Sequence, residues 1–296
     1  DLISLLCFLA YHFAGMSWFD ALMHMFSTMG LGGFSSHDAS FGHFNSLAIE
    51  LVAIVFMLLA GINFGTHFVA LRGRSFGAYR RDSEAHAYLL ITLASCAGIA
   101  AFLYAKGTYA SFGEALRFAS FNVISIATTT GFANTDYNQW PLFAPLWMLF
   151  LCCFASCSGS TGGGIKMVRA ILLYKQVNRE YNKLLHPRAV APAKIGGQVI
   201  ENKIIFAVLA FMFVYVSSVV AMTLVMVASG LDLTTALSAV VASINNTGPG
   251  LDKVGPATTY AVLTDFQTWV CTFAMLLGRL ELFTLLIIFT PAFWRR

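Results

Sequence analysis

The chain is organised around one polar stretch, TTTGF at residues 128–132. It lies between residues 111–127, which can form a short helix, and residues 142–154, which are hydrophobic enough to lie in a bilayer. Irregular backbone at membrane depth is stable only where it is buried in protein or lines a wet cavity. Glycine allows φ > 0, which a row of carbonyl groups turned to one side requires. The stretch therefore predicts a turn whose carbonyl oxygens line such a cavity.

The polar stretch has two counterparts in the chain. STMGLGGF at residues 27–34 precedes it, and NNTGPG at residues 245–250 follows it. All three stretches come directly after short amphipathic runs, which are residues 18–28, 111–127 and 233–244. Long apolar runs lie on both sides of each. The pattern predicts one unit used three times: long helix, short helix, polar turn, long helix.

Composition restricts the class of protein. Of 296 residues, 58% are apolar and 11% are charged, and the mean hydropathy is +0.73. Soluble domains have about a quarter charged residues, so the chain is predicted to be a polytopic membrane protein. The six cysteines lie in apolar runs without CxxC spacing, and the seven histidines form no HExxH pattern, which argues against a metal centre. No basic stripe is interleaved with aromatics, which argues against nucleic-acid binding.

Basic residues set the predicted orientation. The membrane spans are expected at residues 2–14, 47–71, 85–104, 142–157 (resuming from 165), 204–228 and 266–289. Two connectors are basic: one holds Arg72, Arg74, Arg80 and Arg81, and the other holds Arg169, Lys175, Arg179, Lys183, Arg188 and Lys194. The loops beside the polar turns have almost no basic residues apart from Lys253. By the positive-inside rule, the turns open outward and the C-terminus is cytoplasmic.

Four motifs carry a family resemblance. They are SIATTTGF at 125–132, NNTGPG at 245–250, GSTGGGIK at 159–166 and Gly278-Arg279. With these motifs the whole chain resembles the Trk/Ktr/HKT superfamily of potassium transporters, and most closely its bacterial Trk-system membrane subunits. The resemblance implies an all-α polytopic membrane protein in which four M1-P-M2 repeats (helix, pore helix, filter loop, helix) surround a pseudo-fourfold, potassium-channel-like pore.

Three of those repeats are expected here. Residues 1–81 would form the second repeat with a partial first helix, residues 82–198 the third, and residues 199–296 the fourth. Asp1 is followed at once by an apolar run, without an initiator Met or a basic signal-peptide region, so we interpret the chain as beginning inside a longer protein. Three-quarters of a ring cannot enclose a pore, and transport by this chain alone is not expected.

The resemblance also assigns roles to the turns. Each repeat would contribute a filter glycine, and backbone carbonyls would replace the water shell of a transported potassium ion, with no organic cofactor. The expected ion-facing residues are Leu31, Gly32, Gly33, Thr129, Thr130, Gly131, Asn246, Thr247 and Gly248. Gly32 stands where a threonine would strengthen the likeness to a potassium filter. Asp38, Asp136 and Asp252 follow the turns, where they either concentrate cations or cap loops.

A glycine-rich break interrupts the long apolar run after the second turn. Residues 158–164 read SGSTGGG; because Ile165 follows Gly164 and no Ser or Thr follows Lys166, the break is not a phosphate-binding loop. It predicts a flexible connection between two half-helices. In the family the matching loop gates the pore from the cytoplasmic side. The expected gate residues are Gly159, Gly162, Gly163, Gly164, Lys166 and Arg279, with Lys166 either a pore-side charge or a snorkelling residue.

Arg279 is placed by this pattern inside the last apolar span. An arginine there costs about 2.5–3.5 kcal/mol even on the mildest insertion scale, so something must compensate for its charge. A buried carboxylate partner is one explanation, although Glu281 is only two residues away and points to another face. The favoured interpretation is a cation barrier below the filter.

The predicted function is therefore potassium uptake across the bacterial inner membrane. By resemblance, the protein would be a homodimer in the lipid bilayer and would bind a cytosolic nucleotide-binding regulatory ring. The alternative is a secondary transporter of a small solute or another cation, with a broken-helix binding site. That class predicts inverted repeats, whereas the units here run in one direction. An intramembrane enzyme would need a nucleophile with a base or a metal set, and the sequence offers neither.

Overall fold

The computed structural model describes residues 2–186, 194–195, 198–280 and 282–294; Asp1, Arg188 and Glu281 lie outside these ranges. The described chain is almost entirely helical. In order, the helices are α1 (Leu2–Phe13), α2 (Trp18–Met29), α3 (Leu47–Ala60), α4 (Phe64–Gly73), α5 (Gly77–Arg81), α6 (Ser83–Ala105), α7 (Phe112–Ala127), α8 (Phe143–Cys152), α9 (Met167–Leu185), α10 (Asn202–Ala228), α11 (Leu233–Ile244), α12 (Asp265–Arg279), α13 (Leu282–Leu286) and α14 (Pro291–Trp294). Between α9 and α10, β1 (Lys194–Ile195) pairs antiparallel with β2 (Gln198–Val199). The all-α prediction is confirmed.

The three short helices α2, α7 and α11 begin at side-chain caps. Ser17 Oγ accepts the Asp20 N–H at 3.0 Å, and Ser111 Oγ accepts the Glu114 N–H at 3.1 Å. Asp232 Oδ2 accepts the Thr235 N–H at 2.9 Å. These bonds satisfy amides that the first helical turn leaves without a partner. The three helices lie within one residue of their expected bounds.

Burial places α7 at the centre of the described structure. It packs against α3, α6 and α8, and every residue from Phe121 to Thr130 is buried. α11 packs between α10 and α12 and is also buried along its second half. α2 is different, because it exposes Trp18, Phe19 and Phe26. The polar stretch that follows α7 is therefore enclosed by protein, whereas Gly248 in the stretch that follows α11 is exposed.

Within the described residues, two single helices, α6 and α10, are long and apolar enough to cross a membrane. The pairs α3–α4 and α12–α13 would bring the number to four, but they bend by 93° and 116° at their breaks. Neither of the spans expected at 47–71 and 266–289 is therefore a single straight helix. At the first break, Gly61 ends α3, and Asn63 Oδ1 accepts the Gly65 N–H at 2.7 Å to start α4. The run expected at 142–157 likewise ends early, at Cys152.

Candidate functional site

The second turn begins with a hydrogen-bonded cap at the end of α7. Thr129 N–H donates to the Ile126 carbonyl at 3.0 Å, and Thr130 N–H donates to the Ser125 carbonyl at 2.8 Å. This pair of bonds is a Schellman motif, which ends a helix by placing one residue in the left-handed region. That residue is Thr129, with φ of 59°.

The same cap ends the other two short helices. In α2 the bonds run from Leu31 to Thr28 at 3.2 Å and from Gly32 to Ser27 at 2.8 Å; in α11 they run from Asn246 to Ser243 at 3.0 Å and from Thr247 to Ala242 at 2.9 Å. The left-handed residues are Leu31 (φ 49°) and Asn246 (φ 54°). Left-handed residues other than glycine are uncommon. Their recurrence at three equivalent positions shows that each short helix delivers the chain into the same backbone path.

A glycine with positive φ stands two residues after each capping residue. The φ values are 72° at Gly33, 92° at Gly131 and 99° at Gly248. An L side chain rarely adopts this conformation, so glycine is required by the backbone itself. Each turn therefore has the sequence left-handed residue, intervening residue, left-handed glycine. The nine predicted filter residues are these three triplets.

The turns lie side by side, with the second between the other two. A Cβ added to Gly33 would lie 2.1 Å from the Thr130 carbonyl oxygen. One added to Gly131 would lie 2.1 Å from the Thr247 carbonyl oxygen. A Cβ added to Gly248 would meet no described atom within 4 Å. The structure thus brings together the backbones of all three predicted triplets.

The loop of residues 153–166, between α8 and α9, contacts the end of every short helix. Thr161 Oγ1 donates to the Met29 carbonyl at 3.1 Å, and Gly163 N–H donates to Thr129 Oγ1 at 2.7 Å. A Cβ added to Gly163 would lie 2.0 Å from the Asn245 carbonyl oxygen. Helix C-termini carry partial negative charge, and α2, α7 and α11 direct theirs towards this loop. We call residues 153–166 the glycine loop.

The other predicted glycines shape the glycine loop. Gly159 has φ of 70°, its carbonyl accepts the Phe64 N–H at 3.1 Å, and an added Cβ would lie 2.8 Å from Asn63 Oδ1. Gly164 has φ of 83° and lies against the Cys153 carbonyl. A Cβ at Gly162 would lie 3.0 Å from the Thr128 carbonyl oxygen. Glycine is thus required here by close packing as well as by φ, and the loop is more tightly held than a merely flexible break.

The two predicted gate cations both bind the glycine loop. Lys166 Nζ donates to the Gly162 carbonyl, and Arg279 Nη1 donates to the Thr161 carbonyl at 3.3 Å. Arg279 is the last residue of α12, directly before the 116° bend, and not the middle of a continuous span. No ion pair between described residues involves it. The Thr161 carbonyl is its observed partner, while Glu281 lies outside the described residues.

A cavity of about 260 Å³ lies beside the glycine loop. Lys166, Arg169 and Arg279 line it, together with loop glycines and Tyr215. Next to it, the Tyr215 hydroxyl donates to Asn245 Oδ1 at 3.0 Å and so fixes the residue that precedes the third triplet. This tyrosine was not among the predicted site residues. Its position in a long apolar run gives no signal, because its partner is thirty positions away in the chain.

The aspartates near the turns have local partners. Asp136 Oδ1 accepts the Asn138 N–H at 3.1 Å, which is a cap. The Asp252 backbone exchanges hydrogen bonds with the Asn138 side chain, at 2.8 and 3.1 Å, and so ties the loops after the second and third turns together. The Asp136 contact favours loop capping over collection of cations at that position.

Comparison with known proteins assigns the family. The TrkH family model, described as a cation transport protein, matches residues 2–103 and 106–296. The chain is 42% identical over 294 residues to the Trk system potassium uptake protein TrkH of Salmonella typhimurium, covering 99% of this chain and 60% of that protein. It is 45% identical to the TrkH protein of Halomonas elongata, with the same coverage.

A solved structure agrees with these matches. The crystal structure of the potassium transporter TrkH from Vibrio parahaemolyticus superposes with a TM-score of 0.94 at 42% identity. The match covers 99% of this chain and 63% of that one. The chain is thus a polytopic helical membrane protein that spans about 60% of the length of the curated relatives it matches.

Proposed function

We propose, from the premise that this chain belongs to the TrkH family of cation transport proteins, that its three turns form part of the selectivity filter of a potassium uptake protein. One observation carries the proposal: three short helices end in identical caps, each followed by a left-handed glycine, and the resulting triplets lie against one another. Carbonyls of these triplets would take the place of the water around a potassium ion.

The transport mechanism is passive selection by backbone oxygens. Carbonyl groups carry no net charge, so they bind a monovalent cation weakly enough for it to leave again. A membrane potential of about 100 mV contributes about 2.3 kcal/mol per charge, which is enough for roughly fifty-fold accumulation of potassium. No chemical step is needed, and neither an enzymatic activity nor an organic cofactor enters the proposal.

The glycine loop is the proposed gate of this pathway. It lies at the carbonyl ends of α2, α7 and α11 and contacts all three, so an ion leaving the triplets would meet it next. Lys166 and Arg279 hold loop carbonyls and add positive charge at the same place. Displacement of Gly162 to Gly164 would clear the path and withdraw both cations.

The remaining organisation is also proposed. Residues 1–81, 82–198 and 199–296 would be three M1-P-M2 repeats in the inner membrane, with the turns outward and the C-terminus cytoplasmic. The exposed basic surface of α4 and α5, formed by Arg72, Arg74, Arg80 and Arg81, would face the cytoplasm. There it suits a nucleotide-binding regulatory ring, and the transporter would be a homodimer, as the family resemblance implies.

Ion uptake tests the filter proposal. The complete gene product would be reconstituted in liposomes, and uptake of K⁺, Rb⁺ and Na⁺ would be measured under an imposed potential. We expect K⁺ and Rb⁺ to accumulate ahead of Na⁺, and Gly131→Ser to abolish uptake because its side chain would collide with the Thr247 carbonyl. Equal uptake of the three ions, or normal uptake by Gly131→Ser, would contradict the filter assignment.

Two variants test the gate in the same liposomes. Deletion of Gly162 to Gly164 removes the part of the loop nearest to the second and third turns and should raise unregulated potassium flux. Arg279→Ala removes one carbonyl-bound cation and should also raise it, by less. Unchanged flux in the deletion variant, with normal folding, would eliminate the gate.

A further inference from the structure

Glu84 binds the backbone on both sides of the loop glycines, residues 159–164, with one oxygen. It lies in the first turn of α6, and its Oε1 atom accepts the Ser158 N–H at 2.7 Å and the Val168 N–H at 3.0 Å. Ser158 directly precedes the glycines, and Val168 follows Lys166 in the first turn of α9. Hydrogen bonds to an ionised acceptor are stronger than those between neutral groups. A single half-buried carboxylate therefore joins the two points between which the loop would have to move.

The carboxylate is held by a rigid support. Asp82 Oδ1 caps α6 by accepting the Glu84 and Ala85 amides, each at 3.0 Å. The other Asp82 oxygen accepts the Thr66 hydroxyl of α4 at 2.7 Å. The first turn of α6 is thereby fixed both to its own helix and to the bent segment that follows α3. Glu84 acts from this anchored base and not from a mobile loop.

The two amides that Glu84 binds, those of Ser158 and Val168, are not part of a helical hydrogen-bond ladder, so they can be released without unfolding a helix. The Val168 amide lies in the first turn of a helix, where no carbonyl within the helix is available to it. The Ser158 amide lies in irregular backbone. Without Glu84, both amides would lose this acceptor and would have to bind water instead.

We propose that Glu84 is a positioning residue that clasps Ser158 and Val168, on the two sides of the loop glycines, and holds the gate closed. Only the role of the loop as a gate rests on the proposed function. The clasp itself fixes the position of the loop, whether or not the loop gates a pore. Mobility would be confined to residues 159–165 while the clasp is intact. Breaking it would allow the whole loop to leave the carbonyl ends of the short helices.

Cys157 provides a direct readout of loop position. It is 1% exposed and directly precedes Ser158, the first residue that Glu84 binds, so release of Ser158 should expose it. Thiols react through their thiolate, which requires access to water. Modification of Cys157 by a small maleimide, quantified by mass spectrometry in the complete gene product, therefore reports release of the loop without any measurement of ion flux. Cys96, 4% exposed within α6, is the internal reference.

Two substitutions of Glu84 separate the hydrogen bonds from the charge. Glu84→Gln keeps an oxygen acceptor at the same reach, whereas Glu84→Leu removes it. Glu84→Leu removes both hydrogen bonds, and we expect it to raise Cys157 labelling and unregulated Rb⁺ flux by at least about tenfold, the equivalent of one lost charge-assisted hydrogen bond, with Cys96 unchanged. Glu84→Gln should stay close to the native values. Native labelling of Cys157 in Glu84→Leu, or equal increases in both variants, would overturn the clasp.

Equal labelling of Cys96 and Cys157 in Glu84→Leu would reveal misfolding. In that case a substitution of Val168, one of the two amide donors, tests the clasp instead. Val168→Pro removes one amide donor in the first turn of α9, where proline is tolerated, and leaves Glu84 in place. It should raise Cys157 labelling by a smaller factor; no increase would overturn the clasp. Increased labelling without increased flux would uphold the clasp and count against the gate in the proposed function.

Discussion

The second and third turns have the same backbone but different surroundings. Both begin with a Schellman cap and continue to a left-handed glycine, with φ of 92° at Gly131 and 99° at Gly248. Gly131 lies against the Thr247 carbonyl and Pro249, whereas a side chain at Gly248 would meet no described atom within 4 Å. The path of each turn is therefore set locally by the helix that precedes it. The neighbours determine only how much change that path tolerates.

The side chains of the two turns also bind different parts of the molecule. Thr129 Oγ1 accepts the Gly163 amide of the glycine loop at 2.7 Å. At the equivalent position in the third turn, Asn246 Nδ2 donates to the Met275 carbonyl of α12 at 3.3 Å. The second turn is thus coupled to the proposed gate, and the third is coupled to a helix of its own unit. Side chains at equivalent backbone positions in the two turns therefore bind different elements.

The largest effect is expected where the second turn is enclosed. Gly131→Ala combines an unfavourable φ with a collision against backbone, and overpacking of this kind costs about 1–3 kcal/mol in addition to about 1–2 kcal/mol for the left-handed conformation. Rb⁺ uptake by liposomes should fall by at least about tenfold. Gly248→Ala has the conformational cost alone and should retain more uptake.

Gly230→Ala is the matched control for both glycine variants. Gly230 has φ of 100° and no described atom within 4 Å of an added Cβ, and it lies between α10 and α11, outside the turns. It should lower the melting temperature as Gly248→Ala does, while uptake stays normal. If Gly131→Ala and Gly248→Ala lost uptake to the same extent, enclosure would not be what distinguishes the two turns.

Much of this comparison could be predicted from sequence because it is local. The positions of the three short helices and their turns follow from hydrophobic periodicity, Ser or Asp caps and glycine spacing, all of which act within a few residues. Gly33, Gly131 and Gly248 were predicted as equivalent on that basis, and their φ values agree. Whether their carbonyls bind an ion stays a prediction.

The breaks in the long helices were predicted less well, for a physical reason. Hydropathy is continuous through residues 47–71, yet Gly61 and Asn63 end one helix and start another, because the loop from α8 supplies partners for the freed backbone: Cys157 N–H binds the Gly61 carbonyl at 3.0 Å. A hydropathy pattern contains no information on partners so distant in the chain. The role of Glu84 was not predicted for the same reason, because its partners are distant backbone amides, which have no sequence signature.

A second difference concerns how the two short helices are anchored. Arg117 of α7 forms a two-pronged ion pair with Glu50 of α3, with both N–O distances at 2.8 Å, and the Glu50 side chain is 3% exposed. Arg117→Met would leave that carboxylate buried without its partner. Breaking a buried pair in this way costs about 3–5 kcal/mol. The melting temperature in detergent should fall by several degrees or more, and α7 should lose its fixed position beside α3.

The double variant Arg117→Met with Glu50→Leu distinguishes the ion pair from simple packing. Replacing both partners removes the buried charge, and such exchanges are often neutral or stabilising. Most of the lost melting temperature should therefore return. If the double variant were as unstable as Arg117→Met alone, the loss would come from packing of the arginine stem and not from the unpaired carboxylate.

The corresponding pair on α11 should matter least. Lys253 Nζ lies 3.3 Å from Asp232 Oδ1, but the two side chains are 53% and 40% exposed, and exposed pairs contribute about 0–1 kcal/mol. Lys253→Met should thus shift the melting temperature only slightly, and added salt should remove the difference from the native protein. A loss of melting temperature as large as that of Arg117→Met would show that burial does not account for the difference between the two ion pairs.

Asp232 itself has a second role, which makes the pH dependence specific. Its carboxylate accepts the Thr235 amide, and chiefly this bond lowers its pKa from 3.8 to about 2. Because the folded pKa is the lower one, the stabilisation is complete above the unfolded value, near pH 4, and is lost as the pH falls towards 2. Loss of this cap in Asp232→Ala costs about 1 kcal/mol of stability. The resulting difference in melting temperature from the native protein should therefore be constant from pH 5 to pH 8. A difference that already shrank at pH 5 would mean that the cap is weaker than its geometry indicates, and that α11 depends on its burial between α10 and α12 alone.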